Sequence, residues 1–475
     1  MRNVKADYLV LGAGATGMAF TDALIAESEA SVVLVDRRPA AGGHWNDAYP
    51  FVRLHQPSAF YGVNSVNLGQ DRIATSGLNA GYYEQATGSE IRDYFRQVLE
   101  EELLPSGQVT FLGGYQHVGQ DRNGHRLVSS SGEEVLVGAR KVVDATYLHT
   151  ELPATHPPGF EIEPGARVVT PTELVGLVKD GTPGDGFTVI GAGKTAADTC
   201  TWLLQQGVAT GDVRWVRPRD AWFLDRSFIQ PLDLVAGMVE GLAAVYVAAA
   251  SAEDLDELYV RAEEADQLMR LDLEVEPDMC HGATLSRAEL ELLRGITNVV
   301  RMGHVRRVGV RELVLDDGTL ATRPQEVHVN CTARGIGSAQ PLRRPAFENG
   351  RITPQSTRYG MLPFCAALTG FLETTSRDDK DKNRLSRPNP APRVGSRLDW
   401  AWNIYLGALN EVAWQREPDI QAWLQRSRLN IGGAVPDHLD DPRVQRAIAN
   451  IGSYGRDAIG NLRRLLEDDH SASGG

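Results

Sequence analysis

The sequence predicts an α/β fold with two Rossmann-like, three-layer units and closing helices. Three observations predict it. A glycine fingerprint, Gly12-Ala13-Gly14-Ala15-Thr16-Gly17, follows the apolar run Tyr8-Leu9-Val10-Leu11 and opens a helical stretch. A second, Gly191-Ala192-Gly193-Lys194-Thr195-Ala196, follows Phe187-Thr188-Val189-Ile190 in the same way. An acid, Asp36, ends the next apolar run of the first unit, 24 residues past Gly12. In such a setting the first glycine permits a tight turn, the second lets backbone approach a pyrophosphate, and the third lets helix pack on strand. The helix then presents its positive end to the phosphates, and an acid at the strand end meets a ribose hydroxyl pair. Two such sites in one chain point to two nucleotides that exchange electrons. The bland alternatives are a glycine-rich turn without a ligand and, at the second site, a unit that keeps the fold but not the nucleotide. Ala196 in place of the third glycine is an accepted variant.

The remaining elements follow in order. Residues 42 to 83 are rich in Gly, Pro, Asn and Tyr and lack periodicity, and a long irregular loop in a compact enzyme is usually functional. Ile91, Tyr94, Phe95, Val98 and Leu99 have helical spacing across 90–104. Short strands are expected from there to Val143, with Gly132 in a turn. Four prolines between Leu152 and Gly165 mark a connection between units. Strands at 187–190, 213–216, 305–315 and 326–331 build the second unit. Residues 231–300 lack a strand rhythm and read as a helical insertion. Ser376 to Arg393, charged and Pro-containing, reads as a mobile loop. Helices carrying Trp400, Trp402, Trp414 and Trp423 close the chain, and those around 400–405 read as core. The polar tail from Asp468 is expected to fray.

The bulk numbers restrict function. A chain of 475 residues implies two or three domains. A net charge of −14 argues against nucleic-acid or anionic-membrane surfaces. Cys200, Cys280, Cys331 and Cys365 are far apart and form no C-x-x-C pair, so buried free thiols are expected, with no metal site. Entry into a strand by residue 7 leaves no room for a signal peptide, and the cytoplasm is the expected compartment. Asp233 and Glu240 interrupt the apolar stretch Leu232–Ala250, which favours a buried helix over a membrane span. Self-association as a homodimer is compatible with the sequence.

The second unit has no acid at the end of its second strand. Val213-Arg214-Trp215-Val216-Arg217-Pro218-Arg219 places guanidiniums there. A guanidinium suits the 2′-phosphate of NADPH, so Arg217 and Arg219 are the candidates that select NADPH over NADH; a solvated basic turn is the alternative.

Taken together, Gly12 to Gly17, Asp36 and Gly42-Gly43-His44-Trp45 resemble the FAD-binding half of the flavin-containing and Baeyer–Villiger monooxygenase superfamily, in which a Gly-Gly-x-Trp lies near the flavin. Val189 to Asp198 resembles its NADPH-binding half. Asp144-Ala145-Thr146-Tyr147 and Asn330-Cys331-Thr332-Ala333 resemble the two crossings between the halves, and Gly360-Met361-Leu362-Pro363-Phe364 the late loop beside the flavin. The resemblance covers residues 6 to 375, with gaps over 231–300. It implies an NADPH domain (166–330) inserted into a discontinuous FAD domain (1–150 and 331–410), ahead of C-terminal helices and tail (411–475). It implies FAD, NADPH, molecular oxygen and a small organic substrate, with hydride passing from nicotinamide to flavin N5 and oxygen captured at C4a. The cofactor contacts it implies are Gly12, Gly14, Gly17, Asp36, Arg37, Gly43, His44, Trp45, Ala145, Leu362 and Phe364 for FAD, and Gly191, Gly193, Lys194, Thr195, Arg217 and Arg219 for NADPH.

The chain departs from that pattern in two places. The family's F-x-G-x-x-x-H motif corresponds to Glu163-Pro164-Gly165-Ala166-Arg167-Val168-Val169-Thr170, which keeps the glycine and lacks the phenylalanine and histidine. This favours a flavin reductase or dehydrogenase without oxygen insertion as the second reading; a nucleotide-binding protein without turnover is the third. Where flavin-containing monooxygenases tend to place an asparagine, this chain has Gln56. The catalytic candidates are therefore Gln56 and His55 in the flavin loop, together with Arg226. A satisfied structural histidine is the commoner outcome for His44 and His55, and a local pair with Asp225 for Arg226.

Overall fold

The computed structural model describes residues 2–148, 150–179, 185–333, 335–336, 344–389 and 398–472. β1 (Arg2–Leu11) runs into Gly12, α1 (Ala15–Ala26) returns along the sheet, and β2 (Val32–Asp36) follows. Leu9, Val10, Val33 and Leu34 are buried, because helices and hairpin cover both faces; hence these strands read as continuous apolar runs. α2 (Gly88–Gln97) starts on a capping box of Thr87 and Glu90 and continues into a π-helical turn over Val98–Leu103. β3 (Val109–Gly113), the hairpin of β4 (Tyr115–Asp121) and β5 (Gly124–Ser129), and β6 (Glu134–Asp144) complete the first pass.

β7 (Thr150–Glu151) leaves the first unit, and β8 (Glu161–Ile162), β9 (Val168–Val169) and α3 (Pro171–Lys179) enter the second. β10 (Phe187–Ile190), α4 (Lys194–Gln205) and β11 (Val213–Val216) repeat the strand–turn–helix–strand pattern. β12 (Ala221–Asp225), α5 (Val235–Ser251), α6 (Leu255–Glu264), β13 (Leu268–Met269), β14 (Met279–Leu285) and α7 (Arg287–Arg294) form the insertion. β15 (Val299–Val300), the meander β16 (Val305–Val308), β17 (Glu312–Leu315) and β18 (Gly318–Ala321), and β19 (Val327–Asn330) finish the unit. Its main sheet is fully parallel, in the order β15-β11-β10-β19-β9.

The return crossing, β20 (Gly335–Ile336), pairs antiparallel with β7, so the two connections are stitched together. β21 (Phe347–Glu348) and β22 (Arg351–Ile352) then rejoin the first sheet, in the order β21-β22-β6-β1-β2-β3. The second unit is thus inserted into the first. α8 (Leu362–Thr374) packs on α1, where Gly370 allows contact: a Cβ there would sit 2.7 Å from the Phe20 carbonyl oxygen. α9 (Asp379–Leu385), α10 (Leu398–Trp414), α11 (Pro418–Arg426) and α12 (Pro442–Ala472) close the chain.

Two expectations need correction. The insertion is only partly helical: β13 and β14 pair with β12 in a small sheet, a non-local partnership that lends order to a segment without an alternating pattern. Within 376–393, α9 is a helix, because its charges have partners inside the molecule. Lys382 is 4 % exposed and donates to the Glu373 carboxylate at 2.9 Å, which also accepts from Lys141 and Tyr8. Residues 390–393 lie outside the described residues. Leu232–Ser251 is long and apolar enough to cross a membrane, yet half of its most apolar window is buried and α12 runs along it.

Candidate functional site

The first site is built by the end of β1 and the start of α1. Gly12 has φ +101°, a conformation that favours glycine. A Cβ on Gly17 would meet the Gly12 carbonyl oxygen at 1.8 Å, so only glycine lets α1 start here. α1 has Gly14 as its N-cap, with no side-chain cap and no acid in its first turn, so its leading N–H groups retain their positive field. Asp36 accepts from the N–H of Ala13 at 2.8 Å and of Arg38 at 2.9 Å, one per carboxylate oxygen, which leaves each oxygen a second lone pair. Gly43 closes the turn from the other side: it has φ +57°, and a Cβ there would stand 2.8 Å from the Gly14 Cα. Trp45 follows, its indole donating to the Tyr61 hydroxyl at 2.6 Å. Ala145 lies under Gly12, and its N–H bonds the Leu11 carbonyl at 3.0 Å.

The second site repeats this construction. Gly191 has φ +135°, and a Cβ there would meet the Cys331 carbonyl oxygen at 2.8 Å. α4 starts from Gly193, again without a side-chain cap or acid in its first turn. The crossings repeat as well. Thr146 Oγ1 donates to Asp144 at 2.7 Å, and Thr332 Oγ1 to Asn330 at 2.7 Å. At the end of β11 the Arg217 guanidinium lies over the Trp215 ring at 5.0 Å and pairs with Asp220 at 3.3 Å, with only 4 % of its side chain exposed. Arg219 is more open and meets Asp278 at 2.8 Å. An open cleft of about 390 Å³ beside this unit is lined by Pro153, Pro158, Val168, Thr170 and Asn330. Val169, at the position of the family's histidine, ends β9 and pairs with Val329 of β19. The next residue, Thr170, caps α3, its hydroxyl donating to Glu173 at 2.9 Å and accepting from the Glu173 N–H at 3.3 Å.

Residues of the irregular loop over 42–83 reach across to the second unit. Tyr49 donates to Asp198 at 2.8 Å, Asp198 also holds Lys194, and Thr195 stands beside Tyr49. Phe51 stacks on Trp202 with ring centroids 4.8 Å apart. The carbonyl of His55 accepts from Thr284 at 2.7 Å. Burial, aided by Lys194 and Arg226, lowers the His55 pKa to about 3. Burial and then Arg38 lower that of His44 to about 4. Both rings are therefore neutral near pH 7. Gln56 is half-buried next to His55.

Not every candidate gathers here. Arg226 is 1 % exposed; it pairs with Glu289 at 2.7 Å and donates to Asn79 at 3.2 Å, while Asp225 takes Arg287 instead. Arg226 thus clasps the irregular loop, at Asn79, to α7, at Glu289, with no surface left for a ligand. Phe364 is fully buried between Trp414 and Trp423 under the Arg358 guanidinium, in the first turn of α8 rather than in a loop. A core ring has no face for a cofactor; Leu362, one turn-start earlier, keeps partial exposure. Arg37 points outward and is exposed. Tyr49, Asp198 and Trp202 escaped the sequence reading, because nothing local marks residues that meet across 149 positions.

No family model matches the chain. Uncharacterized protein Rv2000 of Mycobacterium tuberculosis is 40% identical over 452 residues, covering 95% of this chain and 82% of that protein. Uncharacterized protein Mb2023 of Mycobacterium bovis matches to the same extent. Among solved structures, an open cyclohexanone monooxygenase aligns with a TM-score of 0.50 at 14% identity, over 88% of this chain and 98% of that one. An oxidized steroid monooxygenase bound to NADP aligns with a TM-score of 0.50 at 13% identity, over 87% and 99%. At such identities the likeness is one of fold. The chain belongs to the same family as these mycobacterial proteins, and its fold is that of the flavin monooxygenases.

Proposed function

We propose that the chain binds FAD at the first fingerprint and NADPH at the second, and acts as a monooxygenase on a small organic molecule. The observation that carries this reading is the pair of uncapped glycine turns, at Gly14 and Gly193, each following a strand with parallel neighbours on both sides, in two units joined through Tyr49 and Asp198. The residues fit the groups. The N–H groups that open α1 and α4 suit pyrophosphates, and Asp36 keeps lone pairs for ribose hydroxyls. Arg219, with the buried Arg217 behind it, suits a 2′-phosphate.

When bound, the flavin supplies hydride acceptance and reaction with molecular oxygen; that chemistry is the cofactor's own. The protein binds, orients and keeps water out. Trp45 and Tyr61 form an apolar wall beside Gly43, and exclusion of water protects reactive species. His44 and His55, held neutral, add hydrogen-bonding capacity without charge. The Gln56 amide is the candidate donor toward oxygen.

A flavin oxidoreductase without oxygen insertion is the second reading, favoured by Val169, a strand residue without a polar side chain, where the family has its histidine. The purified protein's absorption spectrum, before and after anaerobic NADPH, tests the cofactors. Admitting oxygen then separates the readings. Product formation matching NADPH consumption, over a panel of ketones, amines and thioethers, supports the monooxygenase. Stoichiometric hydrogen peroxide whatever is added supports the oxidoreductase. A colourless protein that FAD cannot reconstitute sinks both.

A further inference from the structure

The segment 59–66 has no regular secondary structure beyond the end of a short 3-10 turn, yet it carries Tyr61, the partner of Trp45. It is held by one side chain from the far end of the chain. Arg428 Nε donates to the carbonyls of Val63 and Val66, both at 2.8 Å; Nη1 donates to that of Ala59 at 2.7 Å, and Nη2 to that of Tyr61. From the opposite side, Asp22 on α1 accepts from the N–H of Asn64 at 2.9 Å and of Ser65 at 3.3 Å. The Tyr94 hydroxyl takes the N–H of Val63 and donates to the Val66 carbonyl, both at 2.8 Å. Gly62 makes the curl possible: it has φ +101°, and a Cβ there would strike the Tyr94 hydroxyl at 2.2 Å.

We infer that Arg428 is a positioning residue for the flavin-facing loop, acting through Tyr61 and Trp45 on the Gly43–Gly14 contact; the assignment rests on the functional reading above. Four convergent carbonyls match a guanidinium, whose planar fork carries five N–H donors. A lysine has three donors at one point and cannot serve acceptors spread over eight residues. The neighbouring Leu429 is fully buried and Ser427 donates to Asn64 Oδ1 at 2.9 Å, which seats the segment. The C-terminal portion is thereby part of the cofactor site.

Amide exchange of the full-length protein tests this first without any variant. The N–H groups of Tyr61, Val63 and Asn64 should be protected to within about tenfold of those in β1; free exchange overturns the inference. In Arg428→Lys, exchange over 59–66 should rise about tenfold or more with β1 unchanged. FAD, added as the probe and followed by flavin fluorescence quenching, should bind about tenfold more weakly. The visible circular dichroism of bound flavin should change. Arg446→Lys, the same exchange at an exposed position of α12, should leave all three readouts near wild type. Faster exchange with unchanged FAD affinity and dichroism overturns the positioning role. A wild type that takes up no FAD overturns the functional reading and the role with it; the exchange data separate that failure from loss of the clamp.

Discussion

Tyr49 and Asp198 join the two nucleotide-type units through one hydrogen bond of 2.8 Å. The bond links the irregular loop of the first unit to the first turns of α4, where Asp198 also holds Lys194. Tyr49→Phe should cost on the order of 1–2 kcal/mol of stability, the low end for a charged acceptor because Lys194 remains. Urea midpoints for Tyr49→Phe, Asp198→Asn and the double variant give the coupling. Additive effects would mean that the contact does not join the units.

The glycines of the first turn should separate by cause. Gly14→Ala places its Cβ 3.4 Å from the Gly43 Cα, an ordinary contact, so the protein itself should tolerate it while retaining less FAD. Gly17→Ala drives a Cβ into the Gly12 carbonyl and should destabilise the fold by several kcal/mol, about 3 or more. Flavin absorbance per protein and thermal unfolding, measured side by side, check this. Equal unfolding temperatures for the two variants contradict it.

Stability should fall on acidification for a specific reason. In the unfolded chain both histidines titrate near pH 6.5, roughly. In the folded protein burial holds His44 at about 4 and His55 at about 3. Between these values the unfolded chain binds protons that the folded one does not. Their contribution is therefore complete above about pH 6.5 and is lost as pH falls, through about 4 for His44 and on toward 3 for His55. Urea midpoints from neutral pH down to about pH 5 should decline less steeply in His55→Gln than in wild type; parallel curves would remove His55 from the account.

Nucleotide preference should depend on Arg219 more than the sequence pattern implies, since Arg217 is turned into the core over Trp215. Losing a charge-assisted phosphate contact costs about 1.5–3 kcal/mol, or roughly 10- to 150-fold in relative affinity. Anaerobic flavin reduction by NADPH and NADH would be compared in wild type, Arg219→Ala and the Arg217→Ala, Arg219→Ala double variant. Equal rates with both nucleotides in the wild type refute the preference.

What the sequence made legible was local. Gly12, Gly17 and Gly191 declare themselves because a turn conformation or a carbonyl contact forbids a side chain, and Asp36 because it ends an apolar run. The insertion was half legible: α6 has helical periodicity and α5 is a long run of small apolar residues, whereas β14 is ordered by β12, over fifty residues earlier. Arg226 shows the other limit. Its residue type suited a ligand, but Glu289 on α7 reaches it first. Arg428 resembles any arginine near a chain end until four carbonyls are seen to converge on it.

The pairing of Thr150 with Ile336 and Glu151 with Gly335 has a mechanical meaning. The exit from the first unit and the return to it are tied to each other at one seam, two residues on each side, and not at two separate points. A strain placed on either connection is therefore shared by both, and the register of the seam fixes where the chain leaves β6 relative to where it comes back.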